Sequence, residues 1–135
     1  MTMPTKTPMN FEDLQSSKKF VPLKVFEMTK GGSQYLTKEM AKRTAGTGVS
    51  VVCVNPGLTK SKLPGEAPLP LRLVFKLFGK SPQQGARVPL SACLDDKWAS
   101  GEFISDKGQA IEYPAFMTDD DCQHLWAENA KLAGL

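Results

Sequence analysis

Apolar and polar positions recur with a helical period over residues 25–44. Phe26, Met28, Tyr35, Leu36, Met40 and Ala41 fall broadly on one side, with Lys38, Glu39, Lys42 and Arg43 on the polar side. Gly31-Gly32 interrupts the pattern and weakens a helix by roughly 1 kcal/mol per glycine relative to alanine. Such a pair marks close packing of the backbone or a boundary. Gly46-Thr47-Gly48 ends the segment. The period then changes. Val49 to Asn55, VSVVCVN, is apolar at nearly every position and rich in β-branched residues, the pattern of a parallel strand covered on both faces. Pro56-Gly57 terminates it, and residues 58–67 read as a loop.

Leu69 to Phe78 is amphipathic, with Leu71, Val74, Leu77 and Phe78 against Arg72 and Lys76. This predicts a lid or core helix, or a helix lying on a membrane surface. Ser81-Pro82-Gln83-Gln84 is a helix start: serine caps, proline suits the first turn, and glutamine stands at the capping-box position. That helix should run to about Leu94 with a kink at Pro89, whose ring clashes with the carbonyl at Gly85. Gly101 to Ser105 reads as a short strand. Thr118 caps a last helix, Asp119, Asp120 and Asp121 sit at its positive end, and Cys122, Leu125, Trp126 and Leu132 form its apolar face. Residues 1–10, polar with two prolines, read as a flexible arm, and residues 11–135 as one domain. The order predicts an α/β protein with a parallel sheet. Only two strands are evident, and a pair of strands does not stand alone in water. The sequence therefore reads as part of a larger sheet.

Composition adds mostly exclusions. The 135 residues are 41% hydrophobic and 23% charged, with a net charge of +3, too mild and too scattered for nucleic-acid recognition. No apolar run approaches the ~20 residues of a membrane span, and the first residues have no secretory h-region. Cys53, Cys93 and Cys122 are widely spaced and odd in number, which predicts buried reduced thiols in a cytoplasmic protein and neither disulfides nor a metal site. His124 has no nucleophile or carboxylate constellation around it and reads as a packing or surface residue.

The segment TKEMAKRTAGTGVSVVCVNPGLTKSKL, residues 37–63, resembles the short-chain dehydrogenase/reductase superfamily in the order helix, GTGV, buried strand, NPG. The stretch SPQQGARVPLSACLDDKWASGEFISDKGQ and the closing LWAENAKLAGL are similar to the C-terminal part of its retinol-dehydrogenase-like branch, and NFEDLQSSKKFVPLKVF to the lead-in to its catalytic helix. The resemblance covers the chain after about residue 10 and corresponds to the second half of a family member. It implies a partial Rossmann-like fragment of a doubly wound parallel sheet, helix-rich with about two strands. The family's glycine-rich TGxxxGxG turn and its Asn-Ala-Gly motif do not occur in this sequence.

By resemblance the lineage is that of NAD- or NADP-dependent oxidoreductases, here of a small apolar metabolite such as those of secondary metabolism. The family's catalytic helix carries Tyr-x-x-x-Lys; Phe26 stands at the tyrosine position and Lys30 at the lysine. Phenylalanine has no hydroxyl to move a proton, which implies that the chain alone is redox-inactive. Tyr35, five residues after Lys30, lies on another flank and is no substitute. Lys30 reads either as a remnant of ribose binding or as a solvated helix residue. The resemblance gives Pro56 and Gly57 as nicotinamide-lining backbone. It gives Thr59 and Ser61 as cofactor contacts, with loop capping as the equal alternative. Leu69, Leu73 and Phe78 become the apolar wall of a substrate lid. Two other classes of function stand beside the redox one. One is cofactor-independent binding of a small apolar molecule, with isomerisation or cyclisation; the other is an oligomerising scaffold. The resemblance implies a homo-oligomer formed through the 25–44 helix.

Overall fold

The computed structural model of the chain describes residues 4–60 and 69–135. It is a helix-rich α/β fragment in the order of a 3₁₀ turn (Phe11–Asp13), α1 (Pro22–Arg43), β1 (Cys53–Val54), α2 (Leu69–Phe78), α3 (Pro82–Leu94), β2 (Phe103–Ile104), β3 (Ala110–Ile111) and α4 (Asp119–Ala133). The sheet order is β1-β2-β3. Cys53 and Val54 pair in parallel with Phe103 and Ile104, which pair antiparallel with Ile111 and Ala110. The sheet is thus mixed, with three strands where two parallel ones were expected. The third strand is the return arm of a hairpin: Gly108 adopts φ 69° and the Ser105 N–H donates to the Gln109 carbonyl at 2.7 Å.

Helix α1 begins at Pro22, earlier than its apolar period suggests, because proline in the first turn lacks only an N–H that has no intrahelical partner. Its two glycines mark close packing. A β-carbon at Gly31 would lie 3.0 Å from Thr5 Oγ1, and one at Gly32 3.5 Å from Met9 Cε and 3.7 Å from Leu125 Cδ2. Helices α1 and α4 therefore meet at Gly32, beside a core of Tyr35, Met117, Cys122 and Leu125, while Gly31 lets the N-terminal segment approach. Polar contacts extend the joint: Lys42 Nζ lies 2.7 Å from Asp119 Oδ2, and the Arg43 guanidinium stacks over Trp126 at 4.7 Å. On α4 the Thr118 hydroxyl accepts from the Asp121 N–H at 3.1 Å, and Gly134 closes the helix in the left-handed region. Leu132, expected on the buried face, is more than half exposed and borders a cavity instead of filling it.

The run Val49 to Asn55 is less buried than its composition suggests. Only Cys53 is enclosed, and Val49 is 55% exposed. The described residues supply one pairing edge and partial cover, so a sequence suited to burial on both faces receives much less of it. Of the cysteines, Cys53 and Cys122 are buried but Cys93 is exposed on α3, against the expectation of three buried thiols. The capping box of α3 forms as its sequence dictates: Ser81 Oγ accepts from the Gln84 N–H at 3.2 Å and Gln84 Oε1 accepts from the Ser81 N–H at 2.9 Å. Pro89 lies within α3, which continues to Leu94.

Candidate functional site

In an open α/β sheet, ligands sit beyond the carboxyl ends of the parallel strands. Here those ends are Asn55 and Ser105, and the two segments leaving them meet. Asn55 Oδ1 accepts from the Gly57 N–H at 3.0 Å, which folds the chain into a tight turn with Gly57 at φ 74°. A β-carbon on Gly57 would lie 2.9 Å from Asp106 Oδ2, so the glycine permits both the turn and the approach of the second loop. The Asp106 carboxylate accepts from Lys80 Nζ at 2.7 Å, and the same ammonium donates to the Asp106 carbonyl at 3.0 Å. Hydrogen bonding and charge from Lys80 hold the Asp106 carboxyl below its ordinary pKa. Lys80 is itself tied to the first loop, its N–H donating to the Leu58 carbonyl at 2.8 Å and its carbonyl accepting from the Lys60 N–H at 2.9 Å. Gly85, on the first turn of α3, packs against Thr59; a β-carbon there would lie 2.6 Å from Thr59 Oγ1.

The structure thus brings Pro56, Gly57 and Thr59 together on one half-buried loop. The Thr59 hydroxyl turns back on that loop, donating to the Gly57 carbonyl at 3.4 Å. Ser61 lies outside the described residues. Lys30 is half-buried on α1 and stands 5.8 Å from the Phe26 ring centroid, so the catalytic-pair position holds an ammonium beside an apolar ring. Tyr35 points into the core at 1% exposure, and burial pushes its phenol above the ordinary value. Leu69, Leu73 and Phe78 are turned outwards and exposed. His124 stacks on Phe11 with ring centroids 4.3 Å apart. Sequence reasoning did not assign Lys80 or Asp106 to the site. Asp106 ends the Gly-x-Phe-x-x-Asp pattern of β2, and Lys80 precedes a visible helix cap; their pairing is a long-range contact with no local signal.

A second concavity lies on α1. It is a cavity of about 500 Å³, open to solvent, between the 3₁₀ turn, α1 and α4, and Met9, Leu14, Val25, Met28, Leu36 and Leu125 supply its apolar walls. Among the described residues, no group of three or more His, Cys, Asp or Glu side chains is placed to hold a metal ion. No helix among them is long and apolar enough to cross a membrane.

The parallel pair, the turn at its carboxyl end and the capped helix behind that turn define a partial Rossmann-like fragment. The chain is 31% identical over 130 residues to human retinol dehydrogenase 12, the match spanning 93% of this chain and 41% of that protein. It is 29% identical over 135 residues to mouse retinol dehydrogenase 14, spanning 94% of this chain and 40% of that protein. With human retinol dehydrogenase 13 the identity is 26% over 138 residues, spanning 94% and 42%. The chain therefore corresponds to a partial segment of a short-chain dehydrogenase/reductase of the retinol-dehydrogenase branch, spanning about 41% of such a relative's length. No protein-family model and no solved structure matches it.

Proposed function

We propose that the Asn55–Lys60 loop forms part of the nicotinamide-facing wall of an NAD(P)-dependent oxidoreductase site whose substrate is a small apolar alcohol or aldehyde of the retinol class. The observation that carries this reading is the loop itself. It stands at the carboxyl end of a parallel strand, with a glycine at φ 74° that keeps its backbone free of a β-carbon, and a second loop is pinned against it by Lys80 and Asp106. Short-chain dehydrogenase/reductases are NAD(P)-dependent, and the half-buried Pro56–Gly57 backbone fits the flat nicotinamide end of such a cofactor. Bound there, the cofactor would accept or supply hydride. The chain's own part is to line the ring, exclude water and hold the loop.

The proton step has no carrier at residue 26. Phe26 cannot donate or accept, and the Lys30 ammonium has no phenol at that position whose pKa it could lower. We therefore read the chain by itself as unable to transfer hydride. A second reading is favoured by the cavity on α1. At about 500 Å³ with mostly apolar walls, it falls within the range of small-molecule sites. It supports cofactor-independent binding of an apolar molecule, with isomerisation or cyclisation as its chemistry. On either reading we place the protein in the cytoplasm.

One titration separates the two. NADPH and NADH are added to the purified chain while cofactor fluorescence and thermal unfolding are followed together. Saturable binding with a rise in the unfolding midpoint supports the nicotinamide site, since a ligand at 100 times its Kd adds about 2.7 kcal/mol. A folded protein that binds neither cofactor retires the redox reading and leaves the cavity on α1 as the functional site.

A further inference from the structure

Helix α2 is amphipathic, yet one ridge of its apolar residues faces away from the protein. Leu69, Leu73 and Leu77 recur at i, i+4 and i+8 and so form one ridge along the helix. They are 78%, 55% and 63% exposed, and Phe78, the last residue of the helix, is 77% exposed. Phe75, on the opposite side, is half-buried and marks the face that meets the body. Arg72 and Lys76, four apart, form the row next to the ridge, and both are exposed. Charge points the same way. From Ala67 to Leu94 the sequence has four basic residues and no acidic one, in a chain whose totals are nearly balanced at 17 against 14. Of those four, Lys80 is engaged by Asp106, while Arg72, Lys76 and Arg87 are exposed. The exposed Lys60 lies against the end of α2, close to Gly79.

The geometry points to an anionic lipid surface as the occupant of this face. A leucine ridge flanked by a row of long basic side chains suits a helix lying in a bilayer interface, with the ridge in the acyl boundary and the cations reaching up to headgroups. A purely apolar partner would leave the same cations uncompensated, whereas an anionic headgroup layer neutralises them. The helix is ten residues long, about 15 Å, too short to span. The expected mode is peripheral and reversible.

The test is co-sedimentation of the full chain with vesicles of phosphatidylcholine, with and without phosphatidylserine, at physiological and at high salt. Binding is expected to the phosphatidylserine vesicles, to fall on the order of tenfold or more in high salt or on phosphatidylcholine alone, and to be abolished by Leu73→Glu with Leu77→Glu. Arg72→Gln with Lys76→Gln should weaken it roughly fivefold per basic side chain removed. All four positions are exposed, so circular dichroism and the unfolding midpoint should not change. Should the glutamate variant misfold, the salt series and the glutamine variant decide alone. No binding to phosphatidylserine vesicles, or binding unchanged by salt and by the glutamines, overturns the proposal. So does self-association that the glutamates abolish in a chain that ignores vesicles, since a second copy would then cover the ridge.

Discussion

Gly57 lies within the loop of the candidate site and Gly85 borders it, and each is needed for a different reason. At Gly57 the backbone lies at φ 74°, where a β-carbon is strained, and Asp106 stands 2.9 Å from where that carbon would be. Gly57→Ala should cost about 1–2 kcal/mol, read as a lowered denaturation midpoint. At Gly85 the backbone is helical and alanine would ordinarily help by up to ~1 kcal/mol. There the obstacle is Thr59, whose Oγ1 and Cγ2 lie 2.6 Å and 2.9 Å from where the added carbon would be. Gly85→Ala should therefore destabilise by about 1–3 kcal/mol, and adding Thr59→Ala should recover much of the loss. A double-mutant cycle with no coupling would show that the two residues do not meet as described. Phe26 poses the chemical question. Its ring lies 5.8 Å from the Lys30 ammonium, so Phe26→Tyr would place a phenol near a cation, which favours the ionised form. Absorbance titration should reveal one new phenol ionising below the ordinary value of about 10, and Lys30→Met in the same variant should move it back up. The native background is clear, because burial pushes Tyr35 and Tyr113 upwards. A new phenol titrating at or above the ordinary value would show that Lys30 does not act on position 26.

At the scale of elements, Lys80 and Asp106 form the latch that joins the start of α3, the end of β2 and the Asn55–Lys60 loop. The latch makes stability depend on pH with a definite sign. Lys80 depresses the Asp106 pKa in the folded protein, so the contribution is present above the unfolded carboxyl value of about 3.9. It is lost as pH falls through the lower folded value. An Asp106→Asn variant should be less stable at neutral pH by up to about 1 kcal/mol, the pair being partly exposed, and should lose less on acidification than the parent in chemical denaturation. Equal acid slopes in the two proteins would remove the latch from the account. Which elements were legible follows from the range of the forces that make them. Helices α3 and α4 were readable because their caps are local: Ser81 with Gln84, and Thr118 before three aspartates. Helix α1 was readable by its period, but its start was not, because Pro22 and Val21 bring no side-chain cap. Strand β3 was missed because two residues, Ala110 and Ile111, carry no periodicity. Within the site, Gly57 and Thr59 were legible as part of a motif, whereas the Lys80–Asp106 pair joins residues far apart in sequence and only the fold reveals it.

The whole molecule exposes more surface than its mass requires. A folded monomer of 14.7 kDa is expected to show about 6,900 Å²; this one shows 9235 Å². The surplus is larger than one partner's share of a standard protein interface, about 800 Å², and exposed large apolar side chains contribute to it. Some belongs to α2. Some lies on α1, where Leu23, Phe26 and Met40 are exposed and share one side of the helix with Lys30 and Thr37. Exposed apolar side chains grouped on one side of a helix favour its burial against another surface. We therefore expect self-association through the stripe on α1, separate from the lipid-facing ridge of α2. If association stabilises the fold, the midpoint of thermal unfolding must rise with protein concentration, and sedimentation must show the dimer giving way to monomer on dilution. Leu23→Glu with Phe26→Glu should leave the core untouched, since neither side chain belongs to it, yet should lower the midpoint at high concentration to the dilute value. A monomer whose midpoint is independent of concentration would mean that the exposed stripe on α1 serves something other than a second copy. The cavity beside it, with Val25, Met28 and Leu36 on the neighbouring face of the same helix, would then be the place to look.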